Sequence, residues 1–73
     1  MTEEPTELKK LANIAGDLEL SPEMRTKAIE LLGKMGNREA LLTLLELAAN
    51  EKLIAEERDL ALRQAREIVR SGH

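Results

Sequence analysis

Residues 28–50 read AIELLGKMGNREALLTLLELAAN. Two glycines, Gly33 and Gly36, interrupt a run of strong helix formers, and beyond them the chain turns almost wholly apolar. A helix stops where a residue can take positive φ and leave the last carbonyls satisfied, which glycine does without a Cβ clash. Gly36 is therefore expected just past a helix end. Asn37 follows, and an asparagine side chain accepts the free N–H groups at the start of a new helix. The turn is so short that the two helices must be antiparallel neighbours. Gly33 lies inside the last turn of the earlier helix, where it costs roughly 1 kcal/mol against alanine. Either another backbone approaches closely there, or the helix end frays early.

Upstream, SPEM marks the start of that helix. Ser21 supplies a capping oxygen, Pro22 suits the first helical position and Glu23 complements the dipole. The helix is expected over about residues 22–35, with Met24, Ala28, Leu31, Leu32 and Met35 on one face and Ile29 flanking it. A preceding helix is expected over about residues 3–15, capped by Thr2, or by Thr6 if Pro5 ends a short lead-in. Leu8, Leu11, Ala12, Ala15 and Leu18 form its stripe, and Gly16, free to go left-handed, ends it.

Downstream, about residues 38–49 form a helix that is apolar over more than half its circumference. Ala40, Leu41, Leu42, Leu44, Leu45, Leu47, Ala48 and Ala49 leave only a narrow polar strip at Glu39, Thr43, Glu46 and Asn50. Such a helix is packed on two sides, or one side awaits a partner. A fourth helix, about residues 55–70, carries Ala61, Leu62, Ala65, Ile68 and Val69 on one face and lacks a good cap. Residues 71–73 read as a disordered tail, and the lone histidine, His73, as a tag remnant.

The 73 residues contain no cysteine and no Phe, Tyr or Trp. The core must be aliphatic, without disulfide support, at a size where one core is only just sufficient. The missing aromatics argue against base stacking, sugar platforms and aromatic interface anchors. A formal net charge of -3, with acids and bases interspersed, does not favour nucleic acid or an anionic membrane as partner. No apolar run approaches the ~20 residues that span a bilayer. The start MTEEPTELKK has no apolar signal segment. The expectation is a soluble protein, cytoplasmic if natural and recombinant if designed.

An offset of about 33 residues aligns Leu8 with Leu41, Leu11 with Leu44, Ala15 with Ala48 and Leu20 with Leu53. It also aligns Glu23 with Glu56, Arg25 with Arg58 and Ala28 with Ala61, as a repeated helical hairpin would. MRTKAIELLGKMGNREALLTLLELA resembles a HEAT repeat of the short bacterial type. The likeness rests on Arg25 and Ala28, on the turn Leu32-Gly33-Lys34-Met35-Gly36-Asn37, and on Ala40, Leu41, Thr43, Leu44 and Leu45. It implies a helical hairpin and an acidic partner for Arg25 about six residues upstream, at Glu19. With fewer than the three or so repeats of a solenoid, the chain should close into a compact four-helix array. The fold class is thus all-α: four short helices, two HEAT-like hairpins, one domain over residues 1–73.

Little in the chain carries chemistry. Without cysteine, and with one terminal histidine, it offers no nucleophilic triad and no zinc motif. The oxygen-rich stretch Asp17 to Glu23 lacks the glycine and glutamate of a calcium loop, having Pro22 and Ala28 at those positions, and reads as a loop and cap. Glu56, Glu57 and Asp59 are explained by the dipole of the fourth helix. Arg63, Arg66 and Arg70 form the best candidate anion-facing stripe, though Asp59 and Glu67 are placed to pair with it. Arg58 points by angle into the apolar face, its stem covering the core and its head reaching water. No catalytic residue, metal ligand or cofactor site is expected.

Two functions fit these residues. One is a designed or engineered helical scaffold, favoured by the aliphatic core, the crisp helix start and the Glu/Lys/Arg/Leu/Ala bias. The other is a natural HEAT-like module that binds another protein through the apolar side of the third helix, a side that self-association could also cover.

Overall fold

Local capping chemistry divides the chain into helices. The computed structural model of the protein describes residues 7–71, and these form α1 (Glu7–Ala15), α2 (Pro22–Met35), α3 (Arg38–Ala48) and α4 (Ala55–Arg70). The expected helix start at residue 3, its caps Thr2 and Thr6, and His73 lie outside the described residues. Ser71 closes α4, its Oγ donating to the Glu67 carbonyl at 2.7 Å.

At the start of α2, Ser21 is extended and its Oγ accepts from the Met24 N–H at 3.2 Å, with Pro22 in the first turn. Gly36 ends the same helix at φ 64°, and Asn37 Oδ1 opens α3 by accepting from the Ala40 N–H at 2.7 Å. Every L side chain is strained at that φ, so Gly36→Val is expected to cost about 1–2 kcal/mol in a chemical denaturation curve. Gly16 behaves differently. Gly36 is the only residue with positive φ among those described, so α1 ends without a left-handed glycine. Its end is held by the Gly16 N–H on the Ala12 carbonyl and the Asp17 N–H on the Ile14 carbonyl, both at 3.2 Å. Ile54 precedes α4 with no side-chain cap, as the sequence suggests.

The closest packing pairs α1 with α2 and α3 with α4, and α2 against α4 joins the pairs. Despite their short turn, α2 and α3 touch less extensively. The domain measures 35 × 30 × 17 Å. With packed helix axes some 8–10 Å apart, the shortest dimension holds about two helix layers, so every helix keeps an outward face. The core joins Ala15, Ala28, Ile29, Leu32, Ala40, Leu44, Leu47, Leu53, Ala61, Ala65 and Ile68, with Leu8, Leu11, Ile14, Leu41, Ala48 and Leu60 packed against it.

Several apolar faces are rotated from the sequence expectation. In α2 the buried stripe is Arg25, Ala28, Ile29 and Leu32, whereas Met24, Leu31 and Met35 are exposed. Leu18 lies beyond α1 and is half exposed. Leu42 and Leu45 of α3, and Leu62 and Val69 of α4, also face outward. Leu53, in the loop before α4, is buried instead, carried there by an Asn50-centred turn: the Asn50 carbonyl accepts from the Leu53 N–H at 3.1 Å and Oδ1 from the Lys52 N–H at 2.9 Å.

The α2 helix runs past Gly33 to Met35, so the end does not fray. What approaches Gly33 is a side chain, not a backbone. A Cβ there would overlap Gln64 Oε1 and stand 2.7 Å from Gln64 Cδ and 3.1 Å from Gln64 Cβ. The amide end can swing away, but the Gln64 Cβ moves only if α2 and α4 part. Gly33→Ala is therefore expected to lose about 1 kcal/mol net, overpacking exceeding the gain in helix propensity. In a Gln64→Gly background the same change should become stabilising. Urea titration of the four-variant cycle checks both signs.

Candidate functional site

One buried polar cluster ties the two helix pairs together. Arg25, in the first turns of α2, is 5 % exposed, and Glu57, in the first turn of α4, is 3 % exposed. The guanidinium grips the carboxylate with two parallel bonds, Nε to Oε1 and Nη2 to Oε2, each 2.9 Å. Its Nη1 donates to the Leu20 carbonyl at 2.7 Å and the Asp17 carbonyl at 3.3 Å. A planar fork with five donors suits such a site, and a lysine could not reproduce it. The hydrogen bonds that Arg25 donates to Glu57 raise its pKa above its ordinary value, so the cation persists throughout the usual pH range. The cluster thus organises the α1–α2 loop, the start of α2 and the start of α4. Every polar atom in it is engaged inside the fold, which suits a structural clamp.

The clamp corrects two sequence readings. Glu19, the partner implied for Arg25, is exposed, and its N–H donates to Asp17 Oδ1 at 2.9 Å. Glu57 faces the core instead of serving only the helix dipole. A signal for this was present: Glu57 lies on the i, i+4, i+8 and i+11 stripe of Ala61, Ala65 and Ile68, so an acid there needs a cation. The loop from Asp17 to Ser21 does act as loop and cap, through the Asp17 and Ser21 side-chain bonds.

The arginine stripe on α4 is largely solvated. Arg63 pairs with Asp59 at 3.4 Å and Arg70 with Glu67 at 3.6 Å, both pairs well exposed. Among the described residues Arg66 makes no ion pair. Arg58 is half-buried, and its Nε is enclosed without a hydrogen-bond partner. The side chain thus turns inward as its helical angle suggests, but the Nε end of its head is enclosed and does not reach water as expected.

Two apolar grooves remain between neighbouring helices. One runs between α1 and α2 and is lined by Glu7, Lys10, Leu11, Leu31, Lys34 and Met35. The other runs between α3 and α4, floored by Leu41, Leu45, Leu62, Ala65 and Val69 and edged by Arg66 and Arg70. The second answers the question posed by the leucine-rich third helix. One side is packed in the core and the other is open.

Among the described residues, no group of three or more His, Cys, Asp or Glu side chains is placed to hold a metal, and no helix is long and apolar enough to cross a membrane. No family model, curated protein or solved structure matches the chain. Among the described residues, fold and surface together define a class: a single all-α domain of four helices, locked by one buried ion pair and bearing two open apolar grooves.

Proposed function

We propose that this domain is a non-catalytic helical scaffold, a pair of HEAT-like hairpins, that works by seating a helix of another protein in its α3/α4 groove. The α3/α4 groove carries this reading. Leu45, Leu62 and Val69 present apolar side chains to water side by side, with Leu41 partly exposed among them. Contiguous apolar surface of this kind marks an interaction site, whereas scattered leucines would not. A trough between two helices matches the shape of a third, read out through apolar anchors at i, i+3, i+4 and i+7.

An engineered scaffold without a dedicated partner is the second reading, and the helix ends favour it. Acids open all four helices at Glu7, Glu23, Glu39, Glu56 and Glu57, and bases close two of them at Lys34 and Arg70. Charge placed this way complements the helix dipoles.

The test is selection of helical peptides from a displayed library on the protein, followed by measurement of each against Leu45→Asp. Leu45 is exposed, so that variant should fold with the parent's helix content by circular dichroism and lose only a few degrees of melting temperature. Peptides that bind the parent and not the variant are expected. If every selected peptide binds both equally, the α3/α4 groove is not the binding face.

A further inference from the structure

We infer that the α3/α4 groove is built for an acidic amphipathic helix from a different protein, and that its arginines exclude a second copy of this chain. The inference rests on the groove being the binding face. Its floor is aliphatic and its only charged edges are Arg66 and Arg70, with no carboxylate lining it. Arg63 is engaged with Asp59 and Arg70 with Glu67 at the surface, whereas Arg66 has no such pair among the described residues. A docked helix whose apolar stripe is flanked by Glu or Asp supplies the counter-charge that Arg66 lacks and a second carboxylate beside the exposed Arg70–Glu67 pair. One flanked by Lys or Arg would meet like charge at short range, which opposes binding.

The obvious competitor is another copy, because the two halves of the chain already stack on each other. That internal contact works through Gly33 of α2, which leaves room for Gln64 of α4. The offset of about 33 residues shows what a next copy would meet if it stacked the same way. The counterpart of Gly33 is Arg66, and the counterpart of Gln64 is Leu31. An arriving Leu31 would meet a long cationic side chain where the internal contact has only a hydrogen. Leu31 also belongs to the α1/α2 groove, beside Lys10 and Lys34. Head-to-tail stacking would bring those two lysines, with only Glu7 of that groove to offset them, to Arg66 and Arg70. Such a contact, unclosed, would grow into a filament. Face-to-face pairing of two α3/α4 grooves would place four arginines in one interface.

The experiment uses three synthetic helical peptides with one leucine stripe at i, i+3, i+4 and i+7. The stripe is flanked by Glu, Gln or Lys, and binding is read by fluorescence anisotropy at low salt. On the parent protein the Glu peptide is expected to bind about tenfold more tightly than the Gln peptide, and the Lys peptide more weakly still, the differences shrinking in high salt. In the double variant Arg66→Glu, Arg70→Glu the order should reverse. Both arginines are exposed, so circular dichroism should show the parent's helix content. An order that is flat on both proteins overturns the charge inference, and if binding is still lost in Leu45→Asp the groove itself stands as the binding face. Binding that survives Leu45→Asp overturns both. Concentration-dependent association in sedimentation, abolished by Leu45→Asp, overturns the exclusion of a second copy. Partition onto phosphatidylserine vesicles in preference to the Glu peptide overturns the choice of a protein helix.

Discussion

Replacing Glu57 with alanine is expected to destabilise the domain by about 3–5 kcal/mol, the cost of removing one partner from a buried ion pair. The loss would not be that of a surface salt bridge, which is worth at most about 1 kcal/mol. It arises because the Arg25 guanidinium, buried in the parent, is left with only the Leu20 and Asp17 carbonyls to accept from it. A chain of 73 residues holds about 4–11 kcal/mol in all, so the variant should sit near the edge of folding. Glu57→Gln keeps an acceptor of nearly the same shape and should lose less. The double variant Arg25→Leu, Glu57→Leu removes both charges and should recover much of the loss, since neither ion then has to be desolvated. Urea titrations of the three variants check the order. A double variant less stable than Glu57→Ala would show that the pair, together with the Leu20 and Asp17 carbonyls that Arg25 satisfies, stabilises the fold beyond the desolvation it imposes.

The second large effect separates two adjacent leucines. Leu44→Ala should cost about 2–5 kcal/mol, because Leu44 is 0 % exposed and shares the core with Ile29, Leu32 and Leu53. Leu45→Ala should cost under about 1 kcal/mol, because Leu45 is 42 % exposed and alanine is the better helix former. From the sequence both leucines lie in the apolar arc of the third helix, and both would be expected to cost the larger amount. Thermal melts of the two single variants decide the rotation of α3. Equal shifts would mean that the open face of α3 is covered in solution.

These two tests mark where local chemistry stops being informative. Where the helices lie is legible in local residues alone. Ser21 with Pro22, and Gly36 with Asn37, act through bonds spanning only three or four residues, so their effect can be read without knowing the fold. The class of core is equally legible, because without cysteine or aromatic residues only aliphatic side chains could fill it. Which stripe of each apolar helix turns inward depends instead on how the helices pack. Helices α2, α3 and α4 carry more apolar side chains than one contact can bury, so periodicity alone admits several rotations, and only the fit of neighbouring helices chooses Ile29 over Leu31 and Leu44 over Leu45. The same packing pairs Arg25 with Glu57 and sets Gln64 over Gly33. Each of these joins groups about 31 or 32 residues apart, at a distance set by the packing of α2 on α4.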